Sequence, residues 1–478
     1  MTAVANDKHF EQLVKSGSPI GEVVSTNQFM VTVKGLHPTN IHALVVFQNG
    51  EKGFVHQILH DYVIILYLGK NLPDIGTLVV IQHNELVCKV GKDYIGRVIS
   101  AGGEPLDGKG PIAADGTWPI FNVAPPLIER ELLNQQLESG VIAIDTLFPI
   151  VRGQRMALMG DGKSGKSTLV TQLTINQKNT DQVVVYVLIA KKSSDVNELI
   201  NRLEQTDSLK KAIVVVATVF ESLVMSYIAP YVGCSMAEYL WQECEQDTIV
   251  IYDDLTNHAH VYREISLIVG TNPGRDSYPG DMFYAHSSLL ERAGKLSKTH
   301  KHLTAIGLVL ANDGDITAYL PTNIMSITDG QWILDLAVFR KSIRPAVSIG
   351  LSVTRVGNVG QTPKMKTIAS QTLKFLAEYR QAEEYSHFGS EMSLQAKKQL
   401  ARGKKINELL TQSPTTTYSL MSQQLMMDIV LRVDPDVFLD TALLKKIVPD
   451  YATKVKDDKN YEQVVGELIG RCVGGVGK

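Results

Sequence analysis

Residues 160–167 read Gly160-Asp161-Gly162-Lys163-Ser164-Gly165-Lys166-Ser167. This order fits the pattern G-x-x-x-x-G-K-[ST], in which backbone N–H groups fold around phosphate oxygens, the lysine reaches the β and γ phosphates, and the final hydroxyl can ligate Mg²⁺. An apolar run (156–159) leads into the loop, and 167–174, with Thr168 at its start, reads as the first turns of a helix. The positive end of that helix favours phosphate. The stretch therefore predicts binding of ATP or a closely similar nucleotide.

The same residues also satisfy G-x-G-x-x-G, the fingerprint of dinucleotide sites. Such a site needs an acidic residue at the end of the next strand, where it meets the ribose. That strand (183–189) runs instead into Ala190-Lys191-Lys192, and the nearby acid, Asp181, precedes it. The comparison favours a triphosphate site over a dinucleotide site and over a chance glycine-rich turn.

Length and charge limit the class of protein. A chain of 478 residues is long enough for roughly two to three domains. Its net charge of -3 gives no general reason to expect nucleic acid as a partner. The N-terminus lacks a signal-peptide pattern, and no apolar run approaches the length of a membrane span. We therefore expect membrane contact only through partner subunits.

Short strand-like runs dominate the first part of the chain. Residues 1–20 are polar and predict an N-terminal tail. Residues 21–92 predict a small β-barrel, because turn residues separate five β-rich runs, at 21–25, 29–33, 43–47, 62–67 and 78–81.

The remaining chain divides at about residue 360. Residues 361–478 change to a helical period, beginning with 365–388, and predict an all-helical domain. Residues 93–360 predict a mainly parallel α/β sheet, because helix-like stretches alternate with apolar strands at 156–159, 183–189, 212–217, 248–252 and 304–310.

Two acids end the fourth of these apolar strands. The run 248–252 leads directly into Asp253 and Asp254. An acid delivered in this way typically holds Mg²⁺ beside a phosphate-binding loop, so Asp253 and Ser167 are the predicted magnesium residues. The other interpretation is that an aspartate caps the following helix, a role that suits Asp254.

The residue after the second strand bears on hydrolysis. Attack on a γ-phosphate needs a carboxylate or glutamine that orients the water, and this chain has Lys191 there. An ammonium group has no lone pair and cannot act as a base. The site is therefore expected to hold nucleotide and to cleave it poorly, whether Lys191 belongs to the site or is a solvated loop residue.

Arg355 stands at the end of the run 346–354. A guanidinium presented at a strand end suits an arginine finger, which acts on a neighbouring chain's site and is worth about 10³–10⁵ in rate. A surface salt bridge is the alternative.

Further motifs occur in the same order as in one known family, along nearly the whole chain. They are Leu106-Asp107-Gly108-Lys109-Gly110-Pro111, Ser139-Gly140-Val141-Ile142-Ala143-Ile144-Asp145, Gly233-Cys234-Ser235-Met236-Ala237-Glu238-Tyr239, Pro279-Gly280-Asp281-Met282-Phe283-Tyr284, His286-Ser287-Ser288-Leu289-Leu290-Glu291-Arg292 and Phe388-Gly389-Ser390. Together they resemble the α subunit of the F-type ATP synthase.

This resemblance implies a multi-domain α+β fold with an N-terminal β-barrel, a central P-loop (RecA-like) α/β nucleotide-binding domain and a C-terminal α-helical domain. It implies Mg-ATP or ADP as the bound group and a hexamer that alternates with catalytic β-like subunits around a γ-like central shaft. Arg355 falls on the family's arginine finger. Phe339, Arg344, Pro345 and Gln412 fall on its adenine pocket. The complex is expected on the cytoplasmic face of a membrane, peripherally attached.

The chain also departs from the family pattern. Lys163 and Lys191 stand where the family usually has glutamine, and the segment after Gln412 lacks a second pocket glutamine. The N-terminus is shorter than usual, which leaves attachment of a peripheral stalk open. Three alternatives also stay open: an α-like subunit of a specialised motor, a self-sufficient hexameric ATPase of the secretion or termination-helicase type, and a non-enzymatic scaffold with a structural nucleotide.

Overall fold

The computed structural model describes residues 10–386 and 393–473. The chain divides into two compact units, one of Met1–Arg130 and Gln182–Gly307, the other of Glu131–Asp181 and Leu308–Lys478. Residues 1–9 of the predicted tail (1–20) and the motif Phe388-Gly389-Ser390 lie outside the described residues.

Strands occupy most of the chain before residue 360. Over the described residues they are β1 (Ile20–Asn27), β2 (Met30–Lys34), β3 (Leu44–Phe47), β4 (Lys52–Ile58), β5 (Tyr62–Tyr67), β6 (Leu78–His83), β7 (Val87–Val90), β8 (Val98–Ser100), β9 (Gly116–Pro119), β10 (Gln136–Leu137), β11 (Ile150–Val151), β12 (Arg155–Gly160), β13 (Val183–Lys191), β14 (Ala212–Thr218), β15 (Thr248–Asp253), β16 (Gly294–Lys295), β17 (His302–Leu310), β18 (Gly330–Leu334) and β19 (Val353–Thr354).

Helices alternate with the later strands and then replace them. In the described ranges they are α1 (residues 10–15), α2 (Ile142–Leu147), α3 (Lys166–Asn176), α4 (Ser193–Gln205), α5 (Leu223–Gln242), α6 (Leu255–Val269), α7 (Met282–Leu290), α8 (Tyr319–Ile327), α9 (Leu336–Arg340), α10 (Pro363–Ser386), α11 (Leu394–Leu410), α12 (Leu420–Arg432), α13 (Thr441–Ala452) and α14 (Asp458–Cys472).

The first unit begins with a closed barrel. Its strands follow the order β1-β2-β5-β4-β3-β6, and β1 returns to pair with β6. Every other residue of β2 points inward, and the barrel core is filled by buried aliphatic and aromatic side chains such as Val31, Phe47 and Ile65. The predicted barrel lacked one strand, β4. Its polar positions interrupt the apolar pattern, and it is completed by pairing with β3 and β5.

The first unit continues as a parallel sheet. β14 pairs with β8 and β13, β13 with β15, and β15 with the part of β17 that belongs to this unit. The first seven residues of β13 and all six of β15 are buried, as expected for parallel strands covered on both faces. Helix α5 lies against β13, β14 and β15. The predicted alternation of strands and helices is present in this unit.

A fully buried ion pair joins helix α5 to the segment after α7. Arg292 Nε donates to Glu238 Oε1 at 2.8 Å and its Nη2 to Glu238 Oε2 at 2.5 Å, with side chains 1% and 0% exposed. Trp118 Nε1 and Asn122 Nδ2 also donate to Glu238, each at 3.1 Å, and Arg292 Nη1 donates to the carbonyl of Ile120 at 2.8 Å. The pair therefore holds three segments of the unit together: α5, the segment after α7 and residues 118–122.

The second unit holds the strand–loop–helix of the phosphate-binding stretch. β12 pairs with β18 in parallel, and β19 runs antiparallel to β18. Helices α10–α14 form its helical part, in which α10 packs on α11, α12 and α2. Asp145 of α2 is fully buried and accepts hydrogen bonds from the backbone N–H groups of Ser139 and Gly140 and from Nε2 of Gln423 in α12. Burial raises the pKa of Asp145 to about 7, against the opposing hydrogen bonds.

Across the described ranges, no helix combines the length and hydropathy that crossing a bilayer requires.

We predict that Glu238→Gln destabilises the chain strongly. The neutral amide leaves the charge of Arg292 buried without a counter-charge, and breaking a buried ion pair costs about 3–5 kcal/mol. Urea unfolding followed by tryptophan fluorescence measures the effect. Glu243→Gln, at the exposed end of α5, is the matched control and should stay within about 0.5 kcal/mol of the parent chain. Equal unfolding midpoints for the two variants would show that the pair is not stabilising.

Candidate functional site

The phosphate-binding loop joins β12 to α3 in the second unit. Gly165, the residue before the helix, has φ of 100°, a left-handed conformation that favours glycine. A Cβ at Gly160 would lie 2.8 Å from the carbonyl oxygen of Leu334, so the close approach of β18 also requires glycine. These two positions explain why the loop needs glycine at its first and last turns.

Lys166 is held over its own loop. Its Nζ donates to the carbonyls of Gly160 and Asp161, both at 2.7 Å. The hydroxyl of Ser164 is buried and has no hydrogen-bond partner among the described residues. Since an unpaired buried hydroxyl is unfavourable, a ligand that accepts or donates a hydrogen bond there would stabilise the loop.

A cavity of about 260 Å³ opens beside this loop, within the second unit. It brings together the loop and all four residues predicted for the adenine pocket. Its lining comprises Ser164, Gly165, Thr168, Leu169, Gln172, Leu334, Phe339, Arg344, Pro345, Ala346, Gln412 and Pro414. An apolar cavity next to a helix N-terminus suits a ligand with a flat apolar part and an anionic part.

Phe339 and Arg344 form one stacked wall of this cavity. The guanidinium carbon of Arg344 lies 3.3 Å from the centre of the Phe339 ring. Its Nη1 donates to the carbonyls of Phe339 and Ile343, at 2.5 and 3.0 Å. These contacts hold both side chains in place, so the ring presents a fixed surface on which a base could stack.

The amide of Gln412 is engaged within the chain. Its Oε1 accepts from the N–H of Ile142 at 3.0 Å, and its Nε2 donates to the carbonyls of Gly140 and Thr416 at 2.8 and 2.6 Å. Gln172, which the sequence analysis missed, donates in the same way to Ser413 and Thr416. Both glutamines therefore shape the cavity wall by fixing backbone segments. The position of Gln172 one helical turn after Thr168 was the signal available in the sequence.

Lys191, Asp253 and Asp254 meet in the first unit. Strand β13 pairs in parallel with β15, so that Leu188 lies opposite Asp253, and Lys191 ends β13 three residues later. Lys191 Nζ lies 2.6 Å from Asp253 Oδ1 and 3.0 Å from Asp254 Oδ2, with the three side chains 17%, 3% and 14% exposed. The contact with Asp253 Oδ1 falls outside hydrogen-bond geometry, so charge attraction holds it. Lys191 is thus an ion-paired residue and not a solvated one.

These contacts keep Lys191 charged. Burial lowers the pKa of its ammonium group, but the attraction of Asp253 and Asp254 outweighs burial and raises the pKa well above the usual lysine value. An ammonium group that stays charged cannot accept a proton from water.

The carboxylate of Asp253 was predicted to hold magnesium. Its Oδ2 accepts from the hydroxyl of Tyr186 at 3.0 Å, and its Oδ1 faces Lys191. Asp254 caps α6, accepting from the N–H of Asn257 at 2.7 Å, as the alternative interpretation expected. Within the described residues, His, Cys, Asp and Glu form no cluster of three or more that could hold a metal ion. Lys191 Nζ contacts Asp253 Oδ1, and the predicted magnesium role of Asp253 stays a prediction. Ser167 belongs to the other unit, and its predicted magnesium role stays a prediction.

Arg355 follows directly after β19 in the second unit. Its backbone N–H donates to the carbonyl of Asp329 at 3.0 Å, and Thr354 Oγ1 donates to the carbonyl of Pro149 at 2.8 Å. The side chain of Arg355 is exposed and has no hydrogen bond or ion pair with any residue that the structure describes. A surface salt bridge within the chain, the other interpretation, is therefore not formed with the described residues.

The strand, glycine-rich loop, helix and adjoining cavity together define a P-loop nucleotide-binding protein. Comparison with known families agrees. Residues 140–354 match the ATP synthase alpha/beta family, nucleotide-binding domain, and residues 361–459 match the ATP synthase alpha/beta chain, C terminal domain.

Individual relatives indicate which branch of the alpha/beta family the chain resembles. ATP synthase subunit alpha of Helicobacter pylori (strain HPAG1) is 38% identical over 94% of this chain and 89% of its own length. The subunit of the same name from Nitrosomonas europaea is 39% identical over 85% and 82%. The chain therefore belongs to the ATP synthase alpha-subunit family. The predicted resemblance and the predicted fold class are confirmed.

We predict that Phe339→Ala weakens ATP binding by about 5- to 150-fold, because stacking a base on an aromatic ring is worth about 1–3 kcal/mol. Isothermal titration calorimetry on the purified chain measures the dissociation constant. Phe438→Ala, which removes an exposed ring from the helical part, is the matched control and should bind as the parent does. An unchanged dissociation constant for Phe339→Ala would rule out stacking on this ring.

Proposed function

We propose that this chain is a nucleotide-binding, non-catalytic α-type subunit of an F-type rotary ATPase. The observation that carries the proposal is the ion pair of Lys191 with Asp253 and Asp254, at the strand end where hydrolysis needs a water-orienting acid. The loop and cavity of the second unit support nucleotide binding. A chain with these two features retains nucleotide and does not turn it over.

Hydrolysis fails on this proposal for a chemical reason. In-line attack on the γ-phosphate requires water that is oriented and relieved of a proton. Lys191 offers three donors and no acceptor, and its two carboxylate partners are already paired with it. Catalysis in the complex would then belong to β-like chains that alternate with this one around a γ-like shaft.

Arg355 supplies the second part of the proposal. Its exposed guanidinium, unpaired within the described residues, is available to a phosphoryl group bound by a neighbouring β-like chain. Such a group stabilises the negative charge of the transition state. We propose that Arg355 is an arginine finger acting in trans, and that membrane attachment comes through partner subunits.

Nucleotide binding without turnover is the first expectation. The purified chain should bind ATP in calorimetry and show no steady-state hydrolysis above that of a Lys166→Ala variant. Lys166→Ala should also lose nucleotide binding, because the ammonium group is then absent from the phosphate-binding loop. Lys178→Ala, just after α3, is the control for loss of a lysine.

Each part of that result has a contrary outcome. Brisk turnover by the isolated chain would favour the self-sufficient hexameric ATPase over an α-type subunit. Tight ATP binding by Lys166→Ala would refute the assignment of the site to residues 160–167.

Arg355→Ala tests the finger in the assembled complex. Turnover should fall by about 10³–10⁵, while the complex still assembles, because the side chain has no structural partner among the described residues. ATPase rate and analytical size exclusion, measured on the same preparation, separate the two effects. Arg340→Ala, which removes another exposed arginine of the same unit, is the control. Unchanged turnover in Arg355→Ala would leave the scaffold interpretation as the better one.

A further inference from the structure

The carboxylate of Asp145 is buried in the second unit and surrounded by hydrogen-bond donors. Its Oδ1 accepts from the backbone N–H of Ser139 at 3.0 Å and from the Ser139 hydroxyl at 2.6 Å. Its Oδ2 accepts from the N–H of Gly140 at 2.9 Å and from Nε2 of Gln423 at 2.7 Å. Asp145 makes no ion pair with any residue that the structure describes. Four donors therefore hold the ionised carboxylate, while burial opposes its charge.

The turn that Asp145 holds is connected to the wall of the nucleotide cavity. The carbonyl of Gly140 accepts from Nε2 of Gln412 at 2.8 Å and from the N–H of Tyr418 at 3.1 Å. Gln412 and Pro414 line the cavity. A Cβ at Gly140 would lie 2.7 Å from Thr417, so the turn and the segment 412–418 are closely packed. A shift of the turn therefore moves the cavity wall.

Protonation of Asp145 changes the hydrogen bonds of this turn. The new O–H group needs an acceptor, and the hydroxyl of Ser139 already accepts from the N–H of Val141 at 3.1 Å. The Oε1 atom of Gln423 is buried and has no partner among the described residues. Rotation of the Gln423 amide would bring this oxygen to Asp145 and withdraw Nε2 from the carbonyl of Tyr418, to which it donates at 2.8 Å. The segment 412–418 then loses one of its attachments.

The base end of the cavity, meaning the part lined by Phe339, Gln412 and Pro414, is where this change arrives. We propose that Asp145 is a positioning residue for the base end of the nucleotide cavity, and that its ionised form gives the chain its higher affinity for ATP. The inference rests on the proposed function and adds a regulation of the same binding site.

The turn lies at the end of α3 that is remote from the phosphate-binding loop. A Cβ at Gly140 would lie 2.7 Å from the side chain of Asn176, the last residue of α3, whereas the loop precedes Lys166, its first residue. A helix of 11 residues spans about 16 Å. Ionisation of Asp145 should therefore affect a ligand that fills the base end and not one that fills the loop alone.

The charged groups around Asp145 come from its own segment and from α10 and α12, which pack on α2. Glu138 repels the charge of Asp145, and on α12 Asp428 is paired with Arg432 at 2.8 Å. Across a small cavity from Ala143 and Leu147 of α2 lie Lys341, Tyr379, Arg380 and Glu383. Burial and Glu138 favour the proton, the donors favour the charge, and the resulting pKa of about 7 places the change near neutral pH.

The test is the affinity of the full chain for ATP at pH 8 and at pH 6, by isothermal titration calorimetry. Wild type should bind about tenfold more weakly at pH 6, because the ionised fraction of Asp145 falls by about that factor. Asp145→Asn imitates the protonated acid and should bind about as weakly at pH 8 as wild type does at pH 6. Protonation of ATP itself affects both proteins equally and cancels between them.

Two comparisons separate this effect from a general loss of structure. Inorganic tripolyphosphate fills the loop and not the base end, so wild type and Asp145→Asn should bind it within about twofold of each other at both pH values. Asp450→Asn removes the charge of an exposed aspartate of α13 and is the matched control, which should bind ATP as wild type does.

A second variant covers the case in which Asp145→Asn folds poorly. Ser139→Ala removes one donor from the carboxylate, so the pKa of Asp145 rises and the midpoint of the affinity change should move up by about one pH unit. Residues 131–181 and 308–478 contain one histidine, His387, which lies outside the described residues. His387→Gln should leave the midpoint where it is in wild type.

The outcomes separate the inference from the proposed function. The inference is overturned, with nucleotide binding intact, by a pH effect that Asp145→Asn shares, by an equal effect on tripolyphosphate, or by a midpoint that Ser139→Ala leaves unchanged. Failure of the folded wild-type chain to bind ATP at either pH overturns both.

Discussion

The burial of Asp253 at the end of β15 is the constraint on which the chemistry of this chain depends. The strand is buried throughout, so its terminal carboxylate is almost removed from water and needs positive charge or hydrogen-bond donors nearby. Tyr186 provides a donor from the neighbouring strand, and Lys191 provides the charge from the end of that same strand. Under the proposed function, the lysine that stabilises the buried acid also stands where a catalytic acid would be needed. On that proposal, one contact both stabilises the fold and prevents hydrolysis.

The buried pair of Glu238 and Arg292 differs from the pair of Lys191 and Asp253 in how its charges are held. Glu238 accepts four hydrogen bonds from three side chains, and its partner Arg292 is bound to a carbonyl as well. Such a saturated network fixes packing and leaves no group for a ligand. Lys191 is more exposed and holds Asp253 by charge rather than by directed hydrogen bonds. The Glu238–Arg292 pair is thus fixed by directed hydrogen bonds, whereas the Lys191–Asp253 pair is held by charge attraction.

Local patterns were predictable from the sequence, and contacts between distant residues were not. The phosphate-binding loop is contiguous, so its glycines and Lys166 could be placed before any fold was known. Phe339 and Gln412 reach the same cavity as Ser164 from far along the chain, and only the family resemblance indicated them. Strand β4 was not predicted from the sequence because Gly53, His56 and Gln57 interrupt its apolar pattern. The partners of Lys191 depend on the register of β13 against β15, which spacing alone does not specify.

The positive charges of Lys191 and Arg355 differ in whether they have a carboxylate partner. The charge of Lys191 is consumed by two carboxylates of its own unit, whereas the guanidinium of Arg355 meets no carboxylate among the described residues. An exposed, unpaired guanidinium at a strand end contributes little to the stability of its own chain. Its charge has a use only where a neighbour brings an anion to it. Under the proposed function, the chain therefore withholds a cation from hydrolysis in its own site and provides one to the site next to it. A ring of alternating chains needs that asymmetry if turnover is to occur at every second site.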